Sequence, residues 1–275
     1  MFIEFLVYFF VFIFGLCAGS FLNCVIYRLE QKKSLKGRSF CPHCKHKLFW
    51  QDLFPVFSFL FLKGKCRYCH KKISIQYPLV ELATAILFLI IFIATPQYTI
   101  YNILNTIFLF YIASSLIIIF VYDLKHYIIP DKILFPAIVI AFLYRIFDFG
   151  NLKLFGIWDL GFGISAPLLN YVSAAIIASV FFLAIFLVSR GRWMGFGDVK
   201  LAVLIGLLLG LPNVLTALFL AFFFGAIIGI ILMVFEKKKL KSEIPFGPFL
   251  IAGTFIAMLW GSQIIDWYLR LFLIT

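Results

Sequence analysis

Stretches of apolar residues long enough to cross a lipid bilayer recur along almost the whole of this chain, and that recurrence limits its fold more than any single residue. In hydrocarbon every backbone N–H and C=O needs an internal partner, so such a chain folds into α-helices of about 20 residues each. With 64% of its 275 residues hydrophobic and 13% charged, it has too little polar surface for a water-soluble domain of this size. Uninterrupted apolarity predicts an all-α polytopic membrane protein of about eight transmembrane helices, near residues 3–27, 78–95, 100–122, 132–147, 167–189, 199–211, 213–235 and 246–269. A single helix from Val199 to Phe235 would be about 55 Å long, nearly twice the hydrocarbon thickness, so a break is expected at Pro212-Asn213. The opening run, Phe2 to Tyr27, is longer than the core of a secretory signal and has no basic residue before it, so a retained helix is expected.

Basic residues near helix ends are held on the cytoplasmic side. Of the 24 Lys and Arg, twelve lie between residues 28 and 79, two between 124 and 132, three between 190 and 200, and four between 236 and 243. Arg145, Lys153 and Arg270 remain for the other side. This pattern predicts both termini outside, and it reads the net charge of +12 as topology and attraction to anionic lipid rather than as a nucleic-acid surface. The chain then divides into a first transmembrane helix (1–29), a cytoplasmic loop domain (30–77) and a seven-helix membrane domain (78–275).

The loop domain is too small to be held by core burial alone. It carries Cys41-Pro-His-Cys44 and Cys66-Arg-Tyr-Cys69, two CxxC pairs of the spacing that places four thiolates around one structural Zn2+. A reducing compartment disfavours disulfides there. With four thiolates filling the tetrahedron, His43, His46 and His70 are expected at the surface, and Cys17 and Cys24 in the first helix are read as small hydrophobes.

The twelve Asp and Glu are few enough that each one near a span is informative, because a carboxylate there must face water, a partner or a chemical task. Asp123 ends the third predicted helix, and Asp198 closes Gly195-Phe196-Gly197-Asp198 before the sixth. Both are expected at the cytoplasmic edge, where two carboxyl groups that share a proton can activate a water against a peptide carbonyl. Gly195 and Gly197 are expected to let a substrate backbone approach and to supply unusual dihedrals. The bland alternative is a glycine turn with Asp198 as helix cap. Asp131 is placed as N-cap of the next helix with a structural or substrate-orienting role, and Lys200 lies beside Asp198. Glu81, together with Asn23 and Arg28, forms a polar cluster under the loop, either a clamp or a binding site.

Taken in order, Gly19-Ser20-Phe21-Leu22-Asn23, Ile26-Tyr27-Arg28, both CxxC pairs, Ile73 to Glu81, Asp123, Ile129-Pro130-Asp131, Gly195 to Leu201 and Pro245-Phe246-Gly247-Pro248 resemble the type IV prepilin peptidases, the GxGD aspartyl proteases. The resemblance spans about Gly15 to Gly261, with departures at Glu30 and at Asp52-Leu53-Phe54-Pro55. It implies a bifunctional enzyme of the bacterial inner membrane that removes the leader of prepilin or pseudopilin precursors at the cytoplasmic face and N-methylates the new terminus with S-adenosylmethionine. It puts the protease aspartates at Asp123 and Asp198 and associates the cysteine loop with methyl transfer. No nucleotide-binding glycine fingerprint is present, so methylation rests on the resemblance. A presenilin-like intramembrane protease shares the glycine turn and the Tyr122-Asp123 pair but not the double CxxC loop, and a transporter would want its acids nearer the midplane.

Overall fold

The computed structural model describes residues 2–95, 99–147, 167–236 and 245–273. The segment after Phe147 expected to face outward and the basic run at 237–241 lie outside the described residues. The described chain is helical, with α1 (Phe2–Glu30), α2 (Phe57–Phe61), α3 (Gln76–Ala94), α4 (Ile100–His126), α5 (Asp131–Ile146), α6 (Pro167–Ser189), α7 (Phe196–Leu209), α8 (Asn213–Glu236) and α9 (Gly247–Leu273). A short 3-10 turn at Trp50–Leu53 precedes α2. All eight helices expected from the sequence form. Six of them, α1, α3, α4, α6, α8 and α9, have the length and apolarity of a membrane span, whereas α5 and α7 have only 16 and 14 residues.

The chain divides into two compact units, residues 1–118 and 119–275. In the first, α1 packs along α3. Lipid supplies no hydrophobic drive between helices, so close backbone approach through small residues holds such pairs. A Cβ at Gly19 would stand 2.6 Å from Glu81 Cα, so the two helices touch where only glycine fits. Deeper in the same unit Phe88 stacks on Phe110 with centroids 4.0 Å apart.

The second unit is built around α7, with α5 and α6 packed on it and α8 paired with α9. Ten residues of α7 are buried, from Asp198 to Leu209. A short buried helix needs partners for its terminal backbone groups. At the C-terminal end Arg145 donates to the Leu207 and Leu208 carbonyls at 3.1 and 2.6 Å. Arg145 also lies over the Tyr171 ring, 3.7 Å from its centroid. Beyond it the chain breaks as expected near Pro212: Gly210 adopts φ +66°, and Asn170 clasps Leu211 through both its amide oxygen and nitrogen, at 2.8 and 3.1 Å.

Candidate active site and metal centre

Asp123 stands near the end of α4, 4% exposed, and Asp198 in the first turn of α7, 7% exposed. They come together in the second unit. A Cβ built at Gly247 would collide with Asp123 Oδ2 and stand 3.6 Å from Asp198 Oδ1, so both carboxyl groups reach the same point. That point is the N-terminus of α9. The Gly247 N–H faces the Asp123 carboxyl group, and the Gly195 N–H faces that of Asp198. A helix N-terminus presents free N–H groups and partial positive charge, which favours an anion there.

The backbone around the pair follows from local chemistry. Tyr127 adopts φ +57° with its N–H on the Asp123 carbonyl at 2.8 Å, which ends α4 and turns the chain toward Ile129. Phe246 precedes α9, and its carbonyl accepts from Phe249 and Leu250. Its ring is wedged between Phe182 of α6 and Phe222 of α8, at 5.8 and 5.0 Å, which fixes the direction of the Gly247 N–H.

Around the two carboxyl groups lies a cavity of about 470 Å3 lined by residues that include Tyr127, Asp131, Arg192, Trp193, Gly195, Lys200 and Phe246. Its lining mixes charged, aromatic and glycine residues, as ligand clefts do. Two buried carboxyl groups this close cannot both ionise cheaply, so the pair is suited to hold one proton and to orient a water between a base and an acid. Asp198 is the third residue of α7, and the N-cap is Gly195.

Three details differ from the sequence reading. The glycine turn uses ordinary backbone: Gly195 has φ −76° and ψ 149°, and the positive-φ glycines lie elsewhere. Gly197 has a packing reason to be small that the sequence did not show: a Cβ would stand 3.1 Å from Ile129, on the connection between α4 and α5, and the residue also lines the cavity around the carboxyl pair. Asp131 is the first residue of α5, with Pro130 as N-cap, so its carboxylate turns instead to Lys200 Nζ at 2.8 and 2.9 Å.

In the first unit the Sγ atoms of Cys41, Cys44, Cys66 and Cys69 lie within 4.8 Å of one another, with Cys41 and Cys69 3.9 Å apart. Tetrahedral zinc with Zn–S bonds of about 2.3 Å places sulfurs about 3.8 Å apart, so the four thiols fit a metal with less than about 1 Å of contraction. Two turns of the same form present them, with the Cys41 N–H on the His46 carbonyl and the Cys66 N–H on that of Lys71, each at 2.9 Å. Burial raises the Cys41 thiol, but the N–H groups of Cys44 and His43 outweigh it and bring it down to about 7. The Lys71 N–H favours the Cys69 thiolate, yet burial and the neighbouring thiols push Cys69 up to about 11. His46 lies against Tyr68, with centroids 3.7 Å apart and the rings tilted by 33°.

The polar cluster resolves into two clamps. Arg28 donates to the carbonyls of Ser34, Lys36, Gly37 and Arg38 at 2.7 to 3.3 Å, which folds the chain leading to Cys41. Glu81 accepts from the Val56 N–H at 2.7 Å, while Asn23 donates to the Tyr77 carbonyl at 3.0 Å. The expected pairing of Arg28 with Glu81 is replaced because a guanidinium with five donors matches four converging carbonyls better than one carboxylate.

Sequence reasoning missed Gly247 and Asp52. The Pro245-Phe246-Gly247-Pro248 run was a signal for the first, since proline and glycine at a helix start leave its N–H groups accessible. Asp52 binds the Phe49 N–H, Arg67 Nε and Tyr68 Oη at 3.1, 2.7 and 3.0 Å, and so ties the 3-10 turn to the two residues between Cys66 and Cys69. Burial opposes its charge, but these bonds outweigh it and hold the carboxyl below its usual range.

A family model described as the bacterial peptidase A24 N-terminal domain matches residues 13–95, and one described as the type IV leader peptidase family matches 109–230. The chain is 32% identical to a prepilin leader peptidase/N-methyltransferase of Aeromonas hydrophila over 96% of this chain and 94% of that protein. It is 33% identical to one of Bacillus subtilis, over 95% and 97% respectively, and 35% identical to one of Vibrio cholerae, over 89% and 93%. No solved structure matches it significantly. Six apolar helices and these relatives make it a multi-pass inner-membrane protein, and the chain belongs to the type IV leader peptidase family.

Proposed function

We propose that this chain is an aspartyl endopeptidase that removes the leader from prepilin-like precursors at the cytoplasmic face of the membrane, and that it also N-methylates the new N-terminus. The observation that carries the proteolytic half is the convergence of the Asp123 and Asp198 carboxyl groups at the N-terminus of α9. One carboxylate takes a proton from a water held between the two. The oxygen of that water bonds to the scissile carbonyl carbon, and the protonated partner donates to the carbonyl oxygen. Collapse of the tetrahedral species breaks the C–N bond: the proton taken from water passes to the leaving amine, and the hydroxyl formed on the carbonyl oxygen returns its proton to the carboxylate that had donated it, which restores the pair. The Gly247 and Gly195 N–H groups face the carboxyl groups, and Arg192 and Lys200 line the same cleft. The cavity beside them accepts the extended peptide, with Lys200 and Asp131 at its wall.

The four cysteines hold a zinc ion that cross-links the loop, since below about 70–80 residues a module needs such a staple. Both termini face outward, α5 and α7 complete eight crossings, and the domains run 1–29, 30–77 and 78–275. For S-adenosylmethionine, Asn23, Arg28 and Glu81 have their polar groups committed to Tyr77, the 34–38 turn and Val56, so they do not form a ready site for the group. The purified protein in lipid, incubated with a prepilin precursor with and without S-adenosylmethionine, tests the reading by mass spectrometry. Leader loss in both samples and a gain of one methyl only with the donor are expected; an intact precursor would refute the first half, and an unmodified cleaved terminus the second.

A further inference from the structure

The segment between the two cysteine pairs carries exposed apolar side chains that the chemistry above does not use. Trp50 is 71% exposed, Phe54 52%, Phe57 47%, Leu60 63% and Phe61 81%, and the Phe54 and Phe57 rings stand 5.9 Å apart. A run of this kind in water is a liability, so an apolar medium or partner is needed to cover it.

Looseness does not explain the exposure, because the segment is clamped at two points. Asp52 fastens its first turn to Arg67 and Tyr68 between the cysteines of the second knuckle. The Val56 N–H, at the corner between that turn and α2, is held by Glu81 at 2.7 Å. Glu81 lies five residues into α3, which starts at Gln76, or about 7–8 Å along the helix axis. Since α3 has the length and apolarity of a membrane span, and its 19 residues are about as long as the hydrocarbon is thick, Val56 stands within about 8 Å of one end of that span, near the boundary between headgroups and hydrocarbon. Aromatic side chains at that level are at home where one side is apolar and the other wet.

The charge around the segment identifies the lipid. From residue 30 to residue 77 there are eleven Lys and Arg against Glu30 and Asp52, and Asp52 is already engaged by Arg67. Lys63 and Lys65, directly after Phe61, are exposed, as are Lys71 and Lys72 on the second knuckle. A cluster of lysines beside aromatic side chains at that depth is the pattern of a segment that lies on an anionic leaflet.

We infer that residues 50–61 form an interfacial wedge, clamped by Asp52 and Glu81, that inserts its aromatic side chains into the anionic lipid headgroup layer and seats the cysteine knuckles on the membrane surface. The inference depends on α3 spanning the bilayer and is independent of the proteolytic reading. The wedge has two consequences. The knuckles are held against the leaflet from which a membrane-bound substrate emerges, and the loop's order depends on lipid composition.

The test uses the full-length protein in nanodiscs. With p-benzoylphenylalanine in place of Phe61, irradiation is expected to give a peptide bearing a phospholipid adduct by mass spectrometry. Irradiation that yields no adduct, or an adduct to a protein chain instead, overturns the inference. Hydrogen exchange of amides 57–63 is the second arm, comparing phosphatidylcholine alone with phosphatidylcholine plus phosphatidylglycerol. Exchange at least tenfold slower with the anionic lipid is expected, whereas equal rates overturn the assignment of the surface as anionic. Cleavage activity is read in the same discs, so a failed wedge with intact cleavage is distinguishable from loss of both.

Discussion

Replacing Gly247 by alanine adds one methyl group at the place where the two carboxyl groups meet. The new Cβ falls on Asp123 Oδ2 and stands 3.6 Å from Asp198 Oδ1, so Asp123 must turn away or α9 must retreat. Relieving the collision takes a displacement on the order of 1 Å, and a misplacement of that size at reacting groups costs about 100-fold in rate, or about 2.7 kcal/mol of transition-state stabilisation. Stability moves differently. Gly247 does not use left-handed backbone, so alanine fits the chain and gains up to about 1 kcal/mol of helix propensity, against about 1–3 kcal/mol of local crowding. Gly247→Ala is therefore expected to lower cleavage about 100-fold while changing stability by no more than about 2 kcal/mol. Precursor cleavage in proteoliposomes followed by mass spectrometry, with thermal unfolding of the same preparation, separates the two effects. Cleavage within about threefold of the parent protein would show that Gly247 does not abut the catalytic pair.

Gly197→Val places branched methyls where a single Cβ already stands 3.1 Å from Ile129. It should cost about 1–3 kcal/mol of stability and at least tenfold in cleavage, read by unfolding and by the same cleavage assay. Asp52→Ala removes the acceptor for Phe49, Arg67 and Tyr68. It is expected to destabilise the loop by about 1–3 kcal/mol and to speed metal loss to a chelator, measured with a colorimetric zinc indicator. Stripping the metal should abolish hydrogen-exchange protection across residues 40–72 while cleavage stays within about threefold, because Asp123, Asp198, Gly195 and Gly247 all belong to residues 119–275. Loss of both together would contradict that separation.

Much of the fold was legible because hydrocarbon imposes a strict rule on the chain. The eight apolar runs became eight helices, with boundaries shifted by at most four residues. The metal cluster was legible because CxxC spacing leaves little freedom in where two thiols point, and the four Sγ atoms do converge. Contacts set by tertiary geometry were harder to see. Arg28 and Glu81 looked like partners by charge, but their targets are backbone groups, which sequence does not distinguish. The role of Gly247 depends on Phe246 being caught between α6 and α8, a relation among residues more than 20 positions apart. Asp131 as N-cap was a reasonable local expectation, and Lys200, 69 residues away, displaced it.

The account depends on Asp123 and Asp198 acting as one unit, and its most direct test is a double-variant comparison. Asp123→Asn, Asp198→Asn and the combined variant are assayed for cleavage of a prepilin precursor, with folding checked by thermal unfolding. Each single variant is expected to lose at least about 1,000-fold, and the combined variant should be no worse than either, because half of a shared proton device does nothing alone. A single variant that keeps substantial cleavage, or losses that multiply in the combined variant, would contradict the shared device.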